Sequence, residues 1–142
     1  MPPVAACVFC SILAGDTPAH VVFDDEVALG FLDIRPLFPG HVLVVPREHH
    51  VTLPDLPIEL VRPYFDRVQR IARAVPVATG ATGSFVAINN LVSQSVLHLH
   101  THVVPRTKGD GLRGFFWPRT KYVDDAHAVE VAAAIRAALD SG

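Results

Sequence analysis

Eight histidines occur among 142 residues, and three of them alternate in His98-Leu99-His100-Thr101-His102. Alternation is the period of a β-strand. A strand here puts the three imidazoles on one face and Leu99, Thr101 and Val103 on the other, with neighbouring imidazoles about 6–7 Å apart at the backbone. Imidazole titrates and ligates near neutral pH, whereas a merely wet strand face is built from Thr, Ser or Lys. Two chemistries suit the row. Several imidazoles could hold a metal with an open coordination position and activate a water. Alternatively, one imidazole attacks phosphorus while its neighbours bind phosphoryl oxygens and the leaving group. Residues 89–96 favour phosphorus, because the amides of Asn89, Asn90 and Gln94 and the hydroxyls of Ser93 and Ser95 suit phosphoryl oxygens and a leaving atom that needs a proton. A Walker-type Gly-rich loop with Lys is absent, so phosphate contacts fall to backbone N–H groups and these neutral side chains.

A second chemical pair, Cys7 and Cys10 in C-x-x-C spacing, suits a metal half-site, a redox pair or a disulfide, and a reducing compartment disfavours the last. No run of 18 to 20 apolar residues occurs, and no basic region precedes a hydrophobic one at the N-terminus. The expectation is a cytoplasmic protein. A formal net charge of -2, with 12 Lys+Arg scattered against 14 Asp+Glu, lacks the footprint of a nucleic-acid or membrane-surface binder. Small molecules are the expected partners. At 142 residues the chain matches one domain with a core large enough to fold unaided.

These groups need elements to position them. Short β-branched runs at 21–23, 27–33 and 41–45, punctuated by Asp24-Asp25, Pro36 and Pro39-Gly40, predict strands joined by tight turns. Over residues 56–75 the apolar positions Leu60, Val61, Tyr64, Phe65, Val68, Ile71, Ala72 and Val75 recur at helical steps. Pro63 implies that this helix begins near it or kinks there. Further strands are expected at 84–89 and 96–104, then a Gly-rich loop, then an Ala-rich helix over 124–139 capped by Asp124 or Asp125. Strands joined mostly by short turns, with one helix inserted and one appended, indicate an α+β fold with a mostly antiparallel sheet.

The run His98-Leu99-His100-Thr101-His102-Val103-Val104 resembles the signature of the histidine-triad (HIT) family, in which histidines alternate with hydrophobic or small residues and end in a hydrophobic pair. Gln94-Ser95-Val96 precedes it as in the nucleoside-phosphoramidase branch, and Pro105-Arg106 follows it as in other branches. Upstream, Phe31-Leu32-Asp33-Ile34-Arg35-Pro36 and the stretch from Pro39-Gly40-His41 to Pro46-Arg47-Glu48-His49 resemble the family's nucleoside pocket and Gly-His strand. Cys7-Val8-Phe9-Cys10-Ser11-Ile12 is similar to the N-terminal zinc half-site of many bacterial members. Four separated motifs agree in order and spacing over residues 7–110, which makes the resemblance specific.

The resemblance implies a single HIT domain over 1–142, with its core at 7–110 and a branch-specific loop and C-terminal helix at 111–142, assembled as a homodimer. It implies that His100 attacks the α-phosphorus of a nucleoside phosphoramidate, nucleotide anhydride or ester, and that water then hydrolyses the nucleotidyl-histidine. His102 is expected to donate to the phosphoryl oxygens, Ser95 and Gln94 to sit by the leaving group and phosphate, and His41 to buttress the triad. Phe31 and Ile34 would pack on the base, Asp33 would accept from the ribose hydroxyls and Asn89 would lie nearby; purine nucleotides or AMP are the implied ligands. Without the resemblance, Phe31 and Ile34 read as core residues at a strand end. Cys7, Cys10, His49 and His98 would hold a structural zinc, with His50 as a rival to His49; two thiolates and two imidazoles make a closed tetrahedral site. The alternatives are a dinucleoside polyphosphate hydrolase, a non-catalytic nucleotide-binding module, and a metallohydrolase with its metal on His98, His100 and His102. Two stretches depart from the pattern. Residues 90–93 are shorter than the glycine-containing loop of many relatives, and the aromatic-rich stretch at 109–119 matches neither main branch. Its rings either pack on their own body, build a dimer contact or overhang the partner's active site.

Overall fold

Short apolar runs bounded by Asp, Pro and Gly form the strands as their composition predicts. The structure, a computed structural model, describes residues 6–112 and 119–141. Its elements are α1 (Val8–Leu13), β1 (Val21–Asp24), β2 (Ala28–Leu32), β3 (Val42–Pro46), a 3-10 turn (Leu53–Asp55), α2 (Ile58–Thr79), β4 (Gly83–Ile88), β5 (Thr101–Arg106) and α3 (Asp125–Ser141). The strands form one sheet in the order β1-β2-β3-β5-β4, and each neighbouring pair is antiparallel. Two units divide the chain at Asp110 and Gly111, and α3 belongs to the second. The rings of Phe115, Phe116 and Trp117 lie outside the described residues.

On one face of the sheet, the stripe Tyr64, Val68, Ile71 and Val75 of α2 packs on Ala28, Val42, Val44 and Val103. That spacing of four, three and four is the period that marked the helix in the sequence. Gly30 belongs to this contact: a Cβ there would lie 3.0 Å from Ile71 Cδ1, so a larger residue would make the Ile71 side chain shift. On the opposite face, Leu29, Phe31, Leu43 and Val45 pack with Cys7 and Phe9. Strands β2 and β3 are thus covered on both faces, which is why their sequences read as nearly unbroken apolar runs.

Helix α2 starts at Ile58 rather than near Pro63, and it contains Pro63 and Pro76. It ends at Gly80, which is left-handed (φ 72°) and donates to Pro76 O. Another expectation is corrected at 96–104, where only Thr101 onward is strand. β3, the neighbour on that side, stops at Pro46, and the Pro46 carbonyl accepts from the ring of His98. Pairing with β3 ends at Val44 and pairing with β4 ends at Ile88, both opposite Thr101, so residues 96–100 join neither ladder and Leu99 N–H reaches His50 O instead (2.6 Å).

Tyr64 ties the layers together. Its hydroxyl is fully buried, donates to Val44 O (2.8 Å) and accepts from the Thr101 hydroxyl (2.6 Å), so α2, β3 and β5 meet at the residue between His100 and His102.

Candidate active site and metal centre

The three alternating histidines part company because each ring has a different partner. His98 is fully buried and its Nε2–H donates to Pro46 O at 3.0 Å, leaving the Nδ1 lone pair 3.5 Å from both Cys7 Sγ and Cys10 Sγ. His49 Nδ1 lies 3.2 Å from Cys10 Sγ. The four donor atoms all lie within 4.8 Å of one another, and both cysteines are free thiols rather than a disulfide. Bonds of about 2.0–2.3 Å to a tetrahedral zinc hold ligands roughly 3.3–3.8 Å apart. The separations of 3.2–3.5 Å match that cage. Burial, helped by the neighbouring imidazoles, pushes His98 down to about 4, so its lone pair is available at neutral pH. Burial and the adjacent Cys7 push the Cys10 thiol up to about 11, so that thiol ionises only beside a cation. The donor set fits zinc. His50, the rival donor, instead faces Glu48 (3.2 Å).

His100 is buried, and its Nδ1–H donates to His98 O at 2.8 Å, which leaves Nε2 as the unprotonated nitrogen. Its ring stands edge-on to Phe9 at 5.1 Å and to His102 at 5.1 Å. A relay sets the second tautomer: Leu37 N–H donates to His41 Nδ1 (3.1 Å), so His41 Nε2 carries the proton and donates to His102 Nδ1 (3.0 Å). His102 then presents an Nε2–H. Burial, with the His100 and His41 rings beside it, pushes His102 down to about 4. His41 is lowered by burial as well, against the pull of Asp33, whose Oδ2 lies 3.8 Å away. Among the described residues two groups could gather round a metal, and neither contains His100; the reading with metal on His98, His100 and His102 is thereby corrected. The second group, Asp33, His41 and His102, is occupied by the hydrogen-bond relay itself.

His100 and His102 line a cavity of about 500 Å³ whose apolar end is formed by Phe9, Ile12, Phe31 and Leu43 and whose rim carries Asp33, Ile34 and Ser95. Of the residues expected at the site, Phe31, Asp33, Ile34, Ser95, His100 and His102 line this one cavity. Phe31 is buried in the wall, while Ile34 is 83% exposed at the rim, as a residue waiting for a flat partner would be. Two expectations change. Gln94 does not line the cavity, because its Oε1 accepts from Leu91 N–H (2.8 Å) and its Nε2 donates to Val51 O (2.5 Å). Asn89 does not line it either, and the neighbouring Asn90 accepts from Leu53 N–H at 2.9 Å. In this loop Leu91 and Ser93 are left-handed (φ 67° and 61°) although neither is glycine. Each such residue costs about 1–3 kcal/mol and persists only where its surroundings over-determine it. The Gln94 and Asn90 amides supply that restraint and deliver Ser95 to the cavity.

The sequence reading missed α1 as a wall. Val8, Phe9 and Ile12 line the cavity, and α1 is fixed at its start by Cys7, whose Sγ accepts from Cys10 N–H at 3.4 Å. Their apolar 8, 9, 12 spacing, one helical face, was the available signal, but six residues are too few for a period to stand out.

Residues 14–109 match the HIT domain family. An HIT-like protein of Mycobacterium tuberculosis is 44% identical over 108 residues, 75% of each chain. The adenosine 5'-monophosphoramidase of Schizosaccharomyces pombe is 32% identical over 115 residues, 80% of this chain and 84% of that one. Among solved structures, a Zn-bound histidine triad protein of Mycobacterium smegmatis is 42% identical with a TM-score of 0.73, covering 98% of this chain and 99% of that one. The α+β sheet is accordingly HIT-like, and the protein belongs to the HIT domain family, related to nucleoside phosphoramidases.

Proposed function

We propose that this protein is a nucleotide hydrolase or nucleotidyl transferase that cleaves at the α-phosphate of nucleoside phosphoramidates or related conjugates through a covalent nucleotidyl-His100. The observation that carries this reading is the tautomer of His100: the bond from Nδ1–H to His98 O leaves the Nε2 lone pair as nucleophile in a residue that lines the cavity. Attack by Nε2 on phosphorus breaks the bond to the leaving nitrogen. The departing amine keeps the electron pair and takes a proton from the Ser95 hydroxyl, which recovers it from solvent. Water then attacks phosphorus, breaks the bond to His100 and releases the nucleoside monophosphate. His102 Nε2–H donates to the phosphoryl oxygens as charge builds there, and His41 holds that ring in place.

Phe31 and Ile34 sandwich the base, purine by resemblance to the family, and Asp33 accepts from the ribose diol. Gln94 and Asn89 act behind the site rather than on the substrate. Cys7, Cys10, His49 and His98 hold zinc, which supplies structure and takes no part in bond making. The protein is a cytoplasmic homodimer in this reading, with AMP-type ligands and neither nucleic acid nor membrane as a partner. Among the described residues no helix is long and apolar enough to cross a membrane.

Incubation with an adenosine phosphoramidate carrying a fluorogenic amine, with and without a strong chelator, tests the proposal. Chelator-resistant turnover with an acid-labile nucleotidyl adduct on His100 is expected. Tight AMP binding without turnover would leave a binding module, and activity without any adduct would remove the covalent step.

A further inference from the structure

The face of the sheet turned away from the reactive histidines carries a cavity of about 350 Å³, between β1, β2 and the second half of α2. That volume lies in the range of about 300–1,000 Å³ usual for small-ligand sites. Among the described residues Leu32 alone lines both this cavity and the one that holds His100 and His102. Its walls are aliphatic. Val22 and Leu32 come from the sheet, the buried Ile71 and Val75 from the helix face below. Ala74 and Ala78, one helical turn apart, keep the space open, because a larger side chain at either would occupy it. Thr79 also lines it, but its hydroxyl donates to Val75 O (2.8 Å) and is spent within the helix.

Arg70 is the one charged residue among the described residues on this wall. Its setting differs from that of Arg67, one turn earlier on the same helix. Arg67 meets Asp25, Glu26 and Asp66, whereas Arg70 makes no ion pair or hydrogen bond among the described residues. Its guanidinium instead lies over the Phe23 ring, 5.1 Å from the centroid. Guanidinium donors lie in the plane of the group, so stacking on a ring holds the fork at the cavity while leaving its N–H groups available. Apolar walls and one positioned fork favour one ligand chemistry. An apolar body gains by leaving water, and a carboxylate matches the fork with two parallel hydrogen bonds. One cation balances one negative charge; a polyphosphate would bring charges that nothing on the wall meets.

We propose that the cavity bounded by Val22, Phe23, Leu32, Arg70, Ala74 and Ala78 binds a small monocarboxylic acid with an aliphatic or aryl-alkyl body, its carboxylate on Arg70 and its chain along α2. The site is separate from the reactive row, and the inference does not rest on the function proposed above.

The test titrates isotope-labelled full-length protein by NMR with octanoate and with phenylbutyrate, each beside its primary amide. The acids should bind with a Kd of about a millimolar or tighter, and about tenfold more tightly than the amides. Backbone shifts should gather at Phe23, Gly40 and residues 70–79 and leave α1 unmoved. Arg70 and Ala74 are exposed, so substitutions there should fold, and melting curves verify it. Arg70→Gln should erase the preference for acid over amide, whereas Arg73→Gln, a neighbouring cation that does not line the cavity, should keep it. Ala74→Phe should fill the space and abolish binding of both. The proposal is overturned if wild-type protein shows no saturable shift at high millimolar acid, if acid and amide bind alike, or if Ala74→Phe leaves binding intact. Shifts confined to Phe9, Ile12 and Phe31 would place the acid in the other cavity and overturn it equally.

Discussion

The candidate metal centre and the candidate reactive row both take histidines from the five-residue run 98–102, yet they use imidazole in opposite ways. At the centre, His98 spends Nε2 on Pro46 O and turns Nδ1 to two thiols. Two residues later, His100 spends Nδ1 on His98 O and keeps Nε2 for the cavity. Burial pushes both His98 and His102 down to about 4, so a low pKa does not tell ligand from reactive group. The partner of the other ring nitrogen does. A carbonyl or a second imidazole chooses the tautomer, and the tautomer chooses the job. The two regions also touch: His98 O is the acceptor that orients His100, so the backbone of a candidate metal ligand also holds the candidate nucleophile.

His100→Ala should break the comparison most sharply. Turnover should fall by about 10^3-fold or more and the adduct should vanish, while zinc content stays at wild-type level. Metal loss together with activity loss would mean that the two regions are one unit. Cys7→Ala should do the reverse first: zinc is lost from untagged protein by metal analysis, and stability falls by about 3 kcal/mol, as on losing a cross-link. AMP binding by calorimetry should weaken about tenfold, because Val8, Phe9 and Ile12 of the released helix line the nucleotide cavity.

Acid should sharpen the contrast within the row. Burial lowers His41 and pushes His102 down to about 4 in the folded chain, whereas unfolded histidine takes up its proton near 6.5. The unfolded state therefore binds more protons below that pH. Stability should be full above about 6.5 and fall as pH drops toward about 4, by at most about 1.4 kcal/mol per proton per pH unit. Urea midpoints from pH 7 to 4.5 measure the slope, and His102→Gln should reduce it; an unchanged slope would assign the effect elsewhere. The smallest effect is expected from Tyr64→Phe, which removes the bonds to Val44 O and Thr101 and should cost about 1 kcal/mol in urea, with kcat lowered more than KM is changed.

Much of this molecule is legible in the sequence, and the illegible parts share a cause. The residue types at 7, 10, 49 and 98 state donor chemistry, and the structure brings all four together. The period of α2 states its buried stripe. Alternation from His98 to His102, however, looks the same whether made by a strand or by a bent lead-in that buries Leu99 and aims rings at different partners. Only the end of pairing opposite Thr101, at Val44 of β3 and Ile88 of β4, decides, and that is a fact about other elements. Gln94 was read as a substrate contact because a carboxamide suits phosphate; a carboxamide equally suits a backbone lock, and the left-handed residues it restrains give no signal in a stretch without glycine. Tyr64 reads as one more member of an apolar stripe until its hydroxyl is seen between Val44 and Thr101.

The contact between Cys7 and His98 spans 91 positions of the chain. A zinc bound there, as proposed, would act as a clip on the unfolded ensemble, and because loop-closure entropy grows only with the logarithm of length, a segment this long adds little more stabilisation than one half as long. It also sets an order of assembly. At a synthesis rate of roughly 5–20 residues per second, the first helix waits about 5–20 s for its fourth ligand to be made. Cys7 and Cys10 precede His49 and His98 in the chain, so until His98 is made the two thiols stand without the full set of donors that the fold gathers round them.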